Sequence, residues 1–125
     1  MALFVIYIQM KLSEEERGWV LGYLEAKGCF SHNRVVTKRG LYQNPAFFVT
    51  HREKEPLLLL KEKTGLGEVR RAGGLFRWEV RRKAEVMELL DLLEGGLRLP
   101  SKIRQYERWK REVLQWKQRG IPKAL

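Results

Sequence analysis

Cysteine is nearly absent from this 125-residue chain, with Cys29 standing alone. A single thiol excludes an internal disulfide and any zinc site built from several cysteines. Such usage fits a reducing compartment, the cytoplasm or, in a eukaryote, an organelle. There is also no apolar run approaching the ~20 residues that a membrane-spanning helix needs. The opening Leu3-Phe4-Val5-Ile6-Tyr7-Ile8 is too short to span. It lacks a basic stretch ahead of it and a small-residue cleavage site after it, so residues 1–12 read as a short strand or arm and not as a leader. Low-complexity segments and clear internal repeats are missing, and residues 13–125 have the length of one domain. Acidic residues are scarce beside basic ones. Fifteen Asp and Glu face 25 Lys and Arg, for a formal net charge of +10, the electrostatic footprint of a protein with a polyanionic partner. The high charged fraction with few asparagines resembles a thermophile's composition.

What is present is a succession of well-punctuated elements. Ser13-Glu14-Glu15-Glu16 reads as a capping box, with Ser13 and Glu16 answering each other across the first turn of a helix. That helix runs to about Lys27 and stops at Gly28, a residue suited to a left-handed cap. Within it Gly18, Gly22 and Ala26 recur every four positions and form one smooth ridge, the surface that lets a second helix approach closely. Two glycines inside a helix cost about 1 kcal/mol each relative to alanine, and close packing supplies the reason to keep them.

Cys29–Thr37 and Tyr42–Thr50 are rich in β-branched and aromatic residues and flank the turn Lys38-Arg39-Gly40-Leu41, which predicts a long hairpin. Pro45 points to an edge position or a bulge in its second strand. A helix over Arg52–Lys63, with Leu57 to Leu60 buried, ends at Thr64-Gly65-Leu66-Gly67. A second hairpin pairs Glu68–Arg71 with Leu75–Arg81, and its outgoing strand alternates Phe76, Trp78 and Val80 toward the core with Arg77, Glu79 and Arg81 on the other face. Lys83–Glu94 makes a third helix on Val86, Leu89, Leu90 and Leu93. After Gly95-Gly96, Ser101 is placed to cap a fourth, with Ile103, Tyr106, Trp109, Val113 and Trp116 on one side.

The order α-β-β-α-β-β-α-α predicts an α+β fold: a four-stranded antiparallel sheet with its helices on one face. The free face would carry Arg70, Arg77, Glu79 and Arg81 with residues of the long hairpin, and such a surface can lie in a major groove. A plain solvated face is the alternative. In the first hairpin Ser31, Asn33 and Val35 share one parity and Phe30, His32, Arg34 and Val36 the other, with no clean division between them. Arg39, Tyr42 and Asn44 complete the candidate contacts. Cys29 reads as a small packed residue, and Trp109 and Trp116 as core.

Gly22-Tyr23-Leu24-Glu25-Ala26-Lys27-Gly28-Cys29-Phe30 resembles the signature helix of the LAGLIDADG homing endonucleases. Phe48-Val49-Thr50-His51-Arg52-Glu53-Lys54-Glu55, Gly65-Leu66-Gly67-Glu68-Val69 and Leu99-Pro100-Ser101-Lys102 resemble later stretches of the family pattern in register. The likeness runs from about Leu12 to Val113. It implies an αββαββα fold with a saddle-shaped sheet, here with an extra C-terminal helix. It also implies a homodimer packed through Gly18, Val20, Leu21, Gly22, Glu25 and Ala26, and by symmetry a near-palindromic duplex of about twenty base pairs. The family cuts both DNA strands with Mg²⁺ held at the foot of the paired helices.

Hard cations need oxygen ligands, and the family's metal carboxylate falls on Lys27. An ammonium cannot ligate Mg²⁺. Glu25 points about 200° away on the helix, and the Ala26 carbonyl supplies one neutral oxygen. Lys27 therefore admits three readings: a natural loss of cleavage in a binding or splicing accessory protein, an engineered replacement of Glu or Asp, or a phosphate contact. His51 stands where the family often has a water-ordering glutamine, with a capping or exposed histidine as the alternative. Lys102 matches the lysine that stabilises charge on the phosphate, with a solvated first-turn residue as its alternative. Two further functions fit a basic chain of this kind, an RNA-binding maturase-like protein and a non-catalytic DNA-binding regulator.

Overall fold

The computed structural model describes residues 12–119; the arm expected over the first residues lies outside them apart from buried Leu12. Helix α1 spans Glu14–Lys27 and starts as the capping box requires, with Glu16 N donating to Ser13 Oγ at 3.0 Å and Ser13 N to Glu16 Oε1 at 3.1 Å. Gly28 ends it, but not in a left-handed cap: its backbone is extended, with φ −78° and ψ 156°. The glycine is required by space. A Cβ there would overlap the Phe47 ring and the Leu24 carbonyl.

Strands β1 (Gly28–Thr37) and β2 (Gly40–His51) form the long hairpin, and β3 (Glu68–Ala72) with β4 (Leu75–Val80) the short one. All neighbours are antiparallel in the order β1-β2-β4-β3. Pro45 pairs with His32 of β1, on the part of β2 that lies outside its ladder with β4. Its missing N–H therefore breaks no bond to β4.

Between the hairpins lies α2 (Glu55–Thr64), shorter than its pattern suggested. The chain bends over residues 52–54, where His51 Nδ1 accepts from Glu53 N at 2.8 Å. Only Leu57 and Leu60 of the leucine run are buried; Leu58 and Leu59 face solvent. Gly65 supplies a left-handed C-cap at φ 71°, and Lys63 pairs with Glu16, tying α2 to α1. Helices α3 (Lys83–Leu93) and α4 (Pro100–Arg119) follow. α4 begins at Pro100, so Ser101 sits inside the helix and does not cap it. The buried stripe starts at Tyr106, one turn after exposed Ile103.

Phe47, Val49, Trp78 and Val80 on one face of the sheet join Val20, Leu24, Leu57, Leu60, Val86, Leu89, Tyr106, Trp109 and Val113 of the helices in one core. Trp78 Nε1 donates to Leu66 O at 2.8 Å and Trp109 Nε1 to Ala46 O at 3.1 Å, so both buried indoles are satisfied. The helices thus occupy the face predicted for them and leave the other open. No helix among the described residues is long and apolar enough to cross a membrane.

Candidate nucleic-acid interface

The pairing register resolves the parity that the first hairpin left undecided. Cys29 pairs with Phe48, which pairs with Glu79, so alternate residues from Cys29, Phe48 and Glu79 lie on the face away from Phe47 and Trp78. Ser31, Asn33 and Val35 of β1, Tyr42 and Asn44 of β2, and Arg70 and Arg77 of β3 and β4 all fall on that face. Arg81 follows one residue after β4, and Arg39 is exposed in the turn of the long hairpin.

Glu79 does not behave as the free surface carboxylate the alternation implied. It is 6 % exposed and enclosed by arginines, with Arg70 Nε at 3.4 Å and Arg81 Nε at 3.2 Å from Oε1, and Arg77 Nη1 at 3.7 Å from Oε2. The Arg77 guanidinium also lies 5.0 Å from the centre of the Phe48 ring. Phe48 was missed as a surface residue because only the β2–β4 register shows which way it faces.

At the foot of α1 a second group assembles. Lys27 shares an open depression with Thr50, His51, Arg52, Glu53 and Leu75. Lys102, from the first turn of α4, donates Nζ to Gly28 O at 3.2 Å. His51 accepts through Nδ1, so the neutral ring carries its proton on Nε2; the bond closes the bend ahead of α2, whose N-terminus has no side-chain cap, so the capping alternative for His51 is not realised. This donor set does not fit a divalent metal. Lys27 and Arg52 bring positive charge, Glu53 is the one carboxylate lining the depression, and no group of three His, Cys, Asp or Glu among the described residues is placed to hold an ion. Glu25 is occupied elsewhere: its Oε2 accepts from Arg98 N and Leu99 N, each at 2.7 Å. Ala26 is exposed in the last turn, where helix carbonyls lack intrahelical partners.

The residues expected along a dimer axis divide into two sets. Gly18, Gly22 and Ala26 are exposed, with open space beyond both glycines. Val20, Leu21 and Glu25 point into their own chain, Val20 with no exposed surface at all, and so have nothing to offer a partner. Trp19, 40 % exposed and stacked on Tyr23 at 5.2 Å, lies on the helix next to Gly18 instead.

No protein-family model and no curated protein sequence matches this chain. Solved structures do. The archaeal intron-encoded homing endonuclease I-Vdi141I complexed with DNA aligns at a TM-score of 0.70, covering 80% of this chain and 67% of that one at 24% identity. The LAGLIDADG homing endonuclease I-GzeII in complex with its DNA target aligns at 0.71 over 82% of this chain, with 17% identity. This chain has the LAGLIDADG endonuclease fold. The homing endonuclease I-TnaI aligns at 0.71 as well, covering 82% of this chain and 74% of that one at 19% identity. The chain, with one copy of that fold, covers 36% of the length of I-GzeII. The αββαββα order with its extra helix, and the four-stranded antiparallel sheet backed by helices, are as the sequence resemblance implied.

Proposed function

We propose that this chain binds double-stranded DNA site-specifically as a homodimer, on a near-palindromic target of about twenty base pairs, and that it cleaves that target poorly. The observation that carries the reading is the register of the sheet. Ser31, Asn33, Tyr42, Asn44, Arg70 and Arg77 share one open face, the polar and basic mixture that combines phosphate contact with base-edge readout. Support comes from the fold, since I-Vdi141I and I-GzeII are complexed with DNA, and from the net charge of +10. The exposed ridge of Gly18, Gly22 and Ala26 is the surface on which two copies meet.

Poor cleavage follows from Lys27. Two ammonium groups brought together across the axis repel a cation and each other, and His51 and Lys102 beside them can position a phosphate but not replace the missing carboxylate. Mg²⁺, the cofactor implied by the resemblance, finds no adequate ligand set in the residues present. The test is selection of a preferred duplex from a random pool, followed by titration at several salt concentrations. A defined two-fold site whose affinity falls steeply with salt is expected. Absence of any preferred duplex, or tighter binding to folded RNA, would overturn the reading.

A further inference from the structure

The geometry points to Glu79 as a positioning residue that sets Arg70 and Arg81 to read guanines at neighbouring positions of each DNA half-site. This deepens the proposed function and rests on it. Glu79 sits where a carboxylate is costly: 94% of its surface is removed from water, on the open face of a basic sheet, and its strand partner across β3 is another acid, Glu68. Three guanidinium groups within 4 Å compensate that cost. They do so asymmetrically.

An arginine can be held from its side, through Nε, or from its end, through Nη1 and Nη2. Nε is the atom by which Arg70 and Arg81 each pair with the same Oε1; the contacts are ion pairs and not hydrogen bonds, since Oε1 has no hydrogen-bond partner among the described residues. Each therefore keeps its end-on fork free, and that fork is the one that matches O6 and N7 of guanine in the major groove. Because both Nε atoms lie within 3.4 Å of one oxygen, those two atoms are no more than about two base-pair steps of ~3.4 Å apart, and the forks beyond them project from one place on the sheet. Arg77 is engaged differently. Its Nη1 faces Oε2, its ring-like plane covers Phe48, and its Nε is buried without a hydrogen-bond partner among the described residues. It packs the cluster from one side and is not poised as a reader. Glu79→Gln keeps the size of the side chain and adds net positive charge to the face. Non-specific affinity should then hold or rise while base discrimination falls, a split that a residue serving only the fold would not produce.

The experiment is duplex selection from a random pool with sequencing, on the wild-type protein and on Arg70→Gln, Arg81→Gln, Arg77→Gln and Glu79→Gln, each checked for native circular dichroism. The wild type should enrich guanine at two neighbouring positions per half-site. Arg70→Gln and Arg81→Gln should each relax one of them roughly tenfold, and Glu79→Gln should relax both with unchanged or stronger binding to random duplex. Arg77→Gln removes one positive charge from the DNA face and should weaken binding to all duplexes alike, and a selective loss of the guanine pair in this variant would overturn the assignment of Arg70 and Arg81 as the readers. If Glu79→Gln does not fold, Glu79→Asp serves in its place and should weaken both preferences partially. A wild-type pool with no preferred sequence overturns the proposed function and this inference together. A defined site that lacks the guanine pair, or whose guanine pair survives Glu79→Gln, overturns the inference alone.

Discussion

Glu25 and Leu99 lie 74 residues apart in the chain, yet the Glu25 Oε2 accepts the Leu99 backbone N–H at 2.7 Å and the adjoining Arg98 N–H at the same distance. One buried carboxylate thus fastens the C-terminal half of α1 to the segment that launches α4. Its two donors precede Pro100, so the carboxylate also faces the positive end of that helix. The same segment carries Lys102 to Gly28 O, so the lysine's place beside the foot of α1 depends on this clasp. Replacing Glu25 with Gln keeps the shape and removes the charge. Charged acceptors contribute about 1.5–3 kcal/mol to each hydrogen bond, and Glu25→Gln is expected to lower unfolding free energy in urea by about 1–3 kcal/mol. An unchanged midpoint would show that the clasp is not needed.

Gly28 and Gly22 make opposite predictions, though both belong to the same stretch. At Gly28 a methyl group would meet the Phe47 ring and the Leu24 carbonyl, and Gly28→Ala should cost about 1–3 kcal/mol through overpacking. At Gly22 the space is open, and alanine should stabilise the single chain by about 0.5–1 kcal/mol through helix propensity. If α1 is the seam between two copies, Gly22→Ala must weaken self-association while it raises the denaturation midpoint of the dilute protein. Sedimentation equilibrium of the two variants beside their melting curves separates these effects. Self-association unaffected by Gly22→Ala would place the seam elsewhere.

Lys27 suits the helix better than the family's carboxylate does. It occupies the last turn of α1, where the helix presents its negative end, and Lys27→Glu should lower stability by about 0.3–1 kcal/mol. The same change should restore Mg²⁺-dependent cutting of the selected duplex. Gain of cleavage at a stability cost would fit a site that trades folding for chemistry. A Lys27→Glu protein that binds the duplex without cutting it would place the defect in other residues of the depression.

Local chemistry explains which parts of this structure are readable from sequence. The capping box at Ser13, the buried Val86, Leu89, Leu90 and Leu93, and the turns after Thr37 and Ala72 each depend on residues a few positions apart, and each is found where its pattern predicts. The run Leu57 to Leu60 carries no period, so nothing in it distinguishes buried Leu57 and Leu60 from exposed Leu58 and Leu59. The face of the first hairpin depends on long-range register: Phe48 must pair with Glu79 before Ser31 and Asn33 acquire a side. The burial of Glu79 is hidden for the same reason, because Arg70 reaches it only through the β3–β4 ladder. At Gly28 the residue type was read correctly and its cause was not. Glycine serves both left-handed caps and close contacts, and only the position of Phe47 shows which applies.

Glu88 gives the fold a pH dependence of its own, remote from the proposed DNA face. It lies on α3 at 5 % exposure, and burial first, then the neighbouring charges of Glu85 and Asp91, push its carboxyl up from 4.5 to about 7. Among the described residues its Oε2 has no hydrogen-bond partner, in keeping with an acid that folds most easily when neutral. Below pH 4.5 the group is protonated in both folded and unfolded chains and costs nothing. Between about 4.5 and 7 the folded state holds the extra proton, so the contribution of Glu88 to stability declines as pH rises. Above about 7 the loss is complete and the curve levels. Glu88→Gln removes the titrating group and should be more stable than the wild type at pH 8 by about 1–3 kcal/mol, with little difference near pH 4.5. Urea denaturation of both proteins at several pH values measures this directly. A pH-independent gap between them would mean that folding does not shift the Glu88 carboxyl.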